Sequence, residues 1–268
     1  MAGGATEGGR CVGLSGAQAV IQIVADPWNP VDFLAVCGLA EWMSLHELPL
    51  PYWKGQECVV IDGVGEKDLL NVLLPLGDAE LTFDDAYFLR GETDKPFLLT
   101  ASGHSIRQAW MLSDGSKTVW KGYSGQRKAK AVIEERRDGC RVTSEGLTAA
   151  GLLIVESIGK TIGWDPMSKP VAANFGRVLN DMKDEDEKTV QIRCWAELLA
   201  SIAISRWPFI GSRKDGFKYA LWHAPDEIEL VRARAAGAFG LQFFAEARRK
   251  GKYEHWLSHA RFIGQPAS

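Results

Sequence analysis

The chain has 268 residues, 46% hydrophobic and 24% charged, with a formal net charge of −3, which is the balance of a packed globular protein large enough to bury its core without staples. No apolar run approaches the roughly 20 residues that cross a bilayer, so no membrane partner is expected. Five widely spaced cysteines (Cys11, Cys37, Cys58, Cys140, Cys194), with no C-x-x-C, argue against a disulfide framework and a structural zinc site.

The first sixteen residues, MAGGATEGGRCVGLSG, hold six glycines and no apolar stretch. They read as a flexible lead-in over 1–18 rather than a signal peptide, which sets the expectation of a cytoplasmic protein. AVIQIVAD, 19–26, is rich in β-branched residues and predicts a strand. A helix follows, capped by Asn29, with Pro30 at its first position, and running to about Leu45. From Phe33 to Ala40 its only polar side chain is the Cys37 thiol, so burial on several sides is expected. Gly38 in its interior costs about 1 kcal/mol relative to alanine, and predicts that another backbone passes close by. The helix is therefore read as a central strut.

QECVVIDG, 56–63, reads as a second strand, and EKDLLNVLLPL, 66–76, as a short amphipathic helix stopped near Pro75. Residues 80–123 read as β-rich, with turns at Asp-Gly and Gly-Ser-Lys. QRKAKAVIEERR (126–137) predicts a helix, TAAGLLIVESIG (148–159) fits either type, and KDEDEK (183–188) an acidic loop or helix start. CWAELLASIAISRWPF, 194–209, predicts a helix ended by Pro208, and GFKYALWH, 216–223, a strand. Residues 227–257 read as helical in their first part and carry no clear signal beyond Gly240. The expectation is an α+β fold: the lead-in, then one compact body over 19–268, with a subdivision near 145–190 as a variant. Residues 31–42 align with 196–207 through Asp32 and Glu197, Leu34-Ala35 and Leu199-Ala200, and Trp42 and Trp207. That leaves open a body built from two similar halves.

Enzyme motifs fare poorly. SIGKTIG at 157–163 contains Gly-Lys-Thr, but Ile154 stands where a phosphate loop needs its first glycine. GVGEKD at 63–68 has Asp68 in place of the third glycine of a dinucleotide fingerprint, and no G-x-S-x-G occurs. His255 and His259 would share one face of a helix but lack a third metal ligand, so no metal or other cofactor is expected. His104 and His223 are candidates for general acid–base work, with no nucleophile beside them.

Charge gives the stronger signal. Residues 104–137 and 232–261 each carry a net charge of +5, which leaves −13 for the rest of the chain. Basic segments on an acidic background suit a polyanion. In the first, Lys117, Lys121, Arg127, Lys128 and Lys130 interleave with Trp110, Trp120 and Tyr123. In the second, Arg248, Arg249, Lys250 and Lys252 interleave with Tyr253 and Trp256. Cations neutralise phosphates and release counterions, and aromatic faces stack on unpaired bases. Trp110 and Trp120 fit core positions on strands better. Lys117, Lys121, Tyr123, Arg127, Lys128, Lys130, Arg248, Arg249, Lys250 and Lys252 are the candidate nucleic-acid contacts.

Three ordered blocks resemble a CRISPR-associated family of type I systems, subtype G (formerly U). In VADPWNPVDFLAVCGLAEW the matching residues are Asn29, Pro30, Phe33, Ala35, Cys37, Gly38, Leu39 and Glu41, with Val36 departing. In residues 95–126 they are Pro96, Leu98, Trp110, Lys117, Trp120 and Gly122, with Gln108 and Ala109 departing. The third block, 193–225, matches at Glu197, Leu198, Leu199, Ala200, Arg206, Pro208, Tyr219, Trp222 and Pro225. The resemblance implies a non-catalytic subunit akin to the large subunit of Cascade. Its implied partners are CRISPR guide RNA, target DNA, the other Cascade subunits and the helicase-nuclease effector. The alternatives are a guide-processing endoribonuclease using His104 or His223, and a purely structural adaptor.

Overall fold

The long apolar helix is the axis of the structure, a computed structural model that describes residues 19–56, 58–84, 95–109, 128–159, 164–166, 190–209, 211–212, 215–237, 242–250 and 254–264. The lead-in 1–18, the acidic run 183–188 and the Gly-Lys-Thr at 159–161 beyond Gly159 lie outside those residues. Strand β1 (Val20–Val24) leads into α1 (Pro30–Leu45). The Asn29 side chain accepts the Val31 N–H at 2.9 Å, the cap its position predicted. Every residue of α1 from Pro30 to Met43 is buried. An element with no solvent face needs partners all round, and α4 (Cys194–Arg206), buried from Cys194 to Ile204, is the main one.

Gly38 sets how closely these two helices cross. A Cβ there would lie 2.6 Å from the Leu199 carbonyl carbon and would collide with its oxygen. The expectation that Gly38 faces another backbone holds, and the backbone is that of α4.

The strands form small sheets around this pair. β1 pairs antiparallel with β3 (Cys58–Asp62), which pairs with β2 (Tyr52–Lys54). Helix α2 (Glu66–Leu73) runs into a 3-10 turn, Leu74–Asp78. β4 (Glu80–Phe83), β5 (Phe97–Ala101) and β6 (His104–Gln108) form an antiparallel meander. Helix α3 (Ala129–Val142) packs on α4, and 149–154 are turns that lead to β7 (Ser157–Gly159), paired with β8 (Val190–Ile192). The C-terminal sheet holds β9 (Gly211–Ser212), β10 (Gly216–Ala220) and β11 (Gln242–Lys250), with β12 (Glu254–Leu257) and β13 (Arg261–Gly264) both on the far side of β11. Helix α5 (Ile228–Ala235) precedes β11. One hydrophobic core runs from Ile21 to Ala260, so the architecture is α+β in a single compact body. Among the described residues no helix is long and apolar enough to cross a membrane.

The segment after Gly240 resolves into three strands, because Phe243, Ala245 and Ala247 alternate with Phe244, Glu246 and Arg248. His255 lies on β12 and His259 beyond it, so they share no helix face. The order strand–helix–strand–strand–helix does occur twice, at β1–α1–β2–β3–α2 and β8–α4–β9–β10–α5. The pairings differ, however: β1 joins β3, whereas β8 joins β7.

A charge cluster sits beside the crossing. Arg193, just before α4, places Nη1 2.5 Å from Asp32 Oδ1 and Nε 2.7 Å from Asp165 Oδ2. Asn29 Nδ2 donates to Asp165 Oδ1 at 2.9 Å. Arg136 of α3 pairs with Glu197 of α4, both fully buried. Three buried carboxylates thus face two guanidiniums, and burial disfavours the charged form of Asp32 and Glu197. It pushes Asp32 up to about 7 and also raises Glu197, against the pull of the arginines. Asp32 and Asp165 hold Arg193 above the ordinary arginine value although burial opposes its charge.

A carboxyl raised on folding binds more protons when folded, so its contribution is full below its unfolded value and fades as pH rises toward 7. Asp32→Asn removes that titration. Its stability relative to the wild type is expected to climb between pH 4 and 7, by up to about 1.4 kcal/mol per pH unit, and then level off. Urea unfolding across pH measures this, and a pH-independent difference would refute it.

Candidate nucleic-acid interface

The C-terminal sheet has two unlike faces. Phe217, Tyr219, Phe243 and Ala245 point inward and are buried. Tyr219 stacks on Phe33 of α1 at 4.0 Å between ring centroids, and its hydroxyl donates to the Pro27 carbonyl at 2.6 Å. Side chains alternate along a strand, so their neighbours must point away from the core. Lys218, Arg248 and Arg261 are exposed, and Phe244 is half-buried.

Register brings three of these into one row. Lys218 on β10 is paired with Phe244 on β11, which is paired with Arg261 on β13. Adjacent strands are about 4.8 Å apart, so a cation stands on either side of an aromatic ring. The Arg261 guanidinium lies 5.6 Å from the Phe244 centroid. Further along β11, Arg248 Nη2 lies 3.5 Å from Glu246 Oε2, and more than half of each side chain is exposed. Solvent screens such a pair, leaving the arginine available to a stronger anion.

The sequence-derived contacts distribute unevenly. Arg248 belongs to this face. Arg249 and Lys250 continue β11, where their backbones pair with His255 and Glu254. Lys128 is exposed at the start of α3. Lys130, two residues on, pairs with Glu134 and lies over the Phe83 ring at 5.4 Å, so it already has partners within the fold. Lys117, Lys121, Tyr123, Arg127 and Lys252 lie outside the described residues, as do Trp110, Trp120 and Tyr253. The sequence reading missed Lys218, Phe244 and Arg261. The signal for Lys218 was present in GFKYA, where a lysine alternates with Phe217 and Tyr219.

Other candidates offer less. His104 packs edge-on against His46 at 4.6 Å between centroids, and His46 in turn against Trp42. Burial and His104 together lower the His46 pKa. His223 donates from Nδ1 to the Trp53 carbonyl at 2.9 Å, so the two histidines proposed for acid–base work sit against different elements. Asp84 accepts from Arg107 Nε at 2.7 Å. Among the described residues no three His, Cys, Asp or Glu side chains cluster as a metal site, and Cys37, Cys58, Cys140 and Cys194 are free thiols. The Cys140 thiol holds Cys194 down to about 6 against the effect of burial, yet both sulfurs are closed to solvent. A cleft of about 620 Å³ between the 3-10 turn, the β5–β6 turn and the end of α3 is lined by Asp78, Glu80 and Arg141 among others. Two carboxylates to one guanidinium make it a poor seat for a polyanion.

The fold and this face define an α+β protein with a cationic, aromatic-bearing sheet surface. The chain matches no protein-family model, no curated protein and no solved structure.

Proposed function

We propose that the chain is a non-catalytic, nucleic-acid-contacting subunit of a type I CRISPR surveillance complex, and that the outer face of its C-terminal sheet meets the sugar-phosphate chain of guide RNA or target DNA. The observation that carries the contact is the row Lys218–Phe244–Arg261 with Arg248 beside it. The assignment to a CRISPR complex rests on the three ordered sequence blocks. Their residues Gly38, Glu41, Glu197 and Tyr219 are buried members of the α1–α4 core, so they speak for a shared scaffold and the sheet face speaks for the ligand. In this reading the other Cascade subunits and the helicase-nuclease effector are protein partners, and base pairing, not this chain, reads sequence.

The test is co-purification with the products of neighbouring genes, followed by titration of the assembled particle with target DNA. Reversing Lys218, Arg248 and Arg261 to glutamate together is expected to lower affinity at least tenfold. It should also reduce the log–log salt slope by about one for each phosphate no longer neutralised. Unchanged affinity and slope in a particle that still assembles would refute the assignment.

A further inference from the structure

The row on the outer sheet face carries more than charge. An undistorted duplex offers the middle of a sheet face mainly its phosphates, since its bases are stacked inside and reached through grooves that admit a helix or a two-stranded ribbon. An aromatic ring flanked by cations finds no exposed base face on such a ligand unless the duplex is unstacked. Unpaired bases, by contrast, present their faces, and stacking on an aromatic side chain is tolerant of sequence because every base has one.

Phe244 meets that need: it is half-buried, so its ring is held by the sheet, and it has no hydrogen-bonding atom with which to select a base. Lys218 and Arg261 occupy the strands on either side of it. Phosphates that flank a stacked base would therefore meet a cation in both directions across the strands. Arg261 now rests on the ring. That contact keeps the ring face covered by a group that can exchange it for a phosphate. Glu246, a carboxylate on the same face, lies beside Arg248.

Resting on the reading that this face contacts nucleic acid, we propose that its ligand is single-stranded, with one base stacked on Phe244 and the adjoining phosphates on Lys218 and Arg261. The displaced strand of an opened target, or an unpaired part of a guide, has this chemistry.

The full chain is titrated with a fluorescent 12-nucleotide oligo-dT and with a 12-base-pair duplex at one salt concentration. The single strand is expected to bind more tightly. Phe244→Leu keeps the apolar bulk and is expected to weaken single-strand binding about tenfold without changing its salt slope. Phe244→Trp is expected to keep or raise the affinity, which guards against a loss caused by misfolding. Replacing Lys218 and Arg261 by glutamine should lower the slope. An oligonucleotide bearing 5-iodouracil should photocrosslink to the peptide that contains Phe244. If binding follows the cations but is indifferent to Phe244, or if the duplex binds equally well, stacking is overturned while the role of the face in binding stands. If neither ligand binds to this face, both are overturned.

Discussion

Gly38→Ala is expected to destabilise the protein by about 3 kcal/mol or more, at or beyond the top of the range for overpacked cores. The sign is the informative part. Alanine is the better helix former by about 1 kcal/mol, so at an open helical position the substitution would stabilise. Here the added methyl would collide with the Leu199 carbonyl, which belongs to the backbone of a buried helix and cannot rotate aside. Relief requires α1 and α4 to separate along their whole contact, loosening apolar packing on both sides. Urea unfolding of the purified variant measures the loss. A midpoint equal to or above that of the wild type would show that the two helices do not cross this closely.

Arg136→Met should be comparably damaging, at about 3–5 kcal/mol, because it leaves Glu197 buried without its ion-pair partner. Burial already raises Glu197, and without Arg136 the carboxyl takes a proton more readily, so the loss should shrink as pH falls. Arg136→Met combined with Glu197→Leu removes both charges and should recover most of the loss. The double-mutant cycle separates the damage of breaking the pair from the net worth of the pair itself. A single substitution costing less than about 1 kcal/mol would mean that Glu197 is neutral in the native protein, or that water reaches it.

Where local chemistry decided the structure, the sequence could be read. Asn29 and Pro30 announced the start of α1, Pro208 lies just beyond the end of α4, and a long apolar run predicted burial on several sides. Gly38 even foretold a neighbouring backbone, because its cost in a helix needs a compensating reason. What could not be read was set by pairing across distance. Arg193, Asp32 and Asp165 look like ordinary surface charges until the fold gathers them from three segments. The row on the sheet needs β10, β11 and β13 in register, and β11 is hard to see because QFFAEARRK also fits an amphipathic helix. Density of charge along the chain is what marks a cationic contact in a bare sequence. That favours clusters such as 248–252 and passes over isolated cations such as Lys218 and Arg261.

The union of α1 with α4 also bears on how the protein is made. Helix α1 ends at Leu45 and α4 ends at Arg206, so a ribosome working at about 5–20 residues per second releases the second roughly 8–30 s after the first. Throughout that interval a sixteen-residue helix with no polar side is without its largest shelter. Nascent chains should be held by chaperones for that time, and a gene truncated ahead of Cys194 should yield inclusion bodies rather than a soluble fragment.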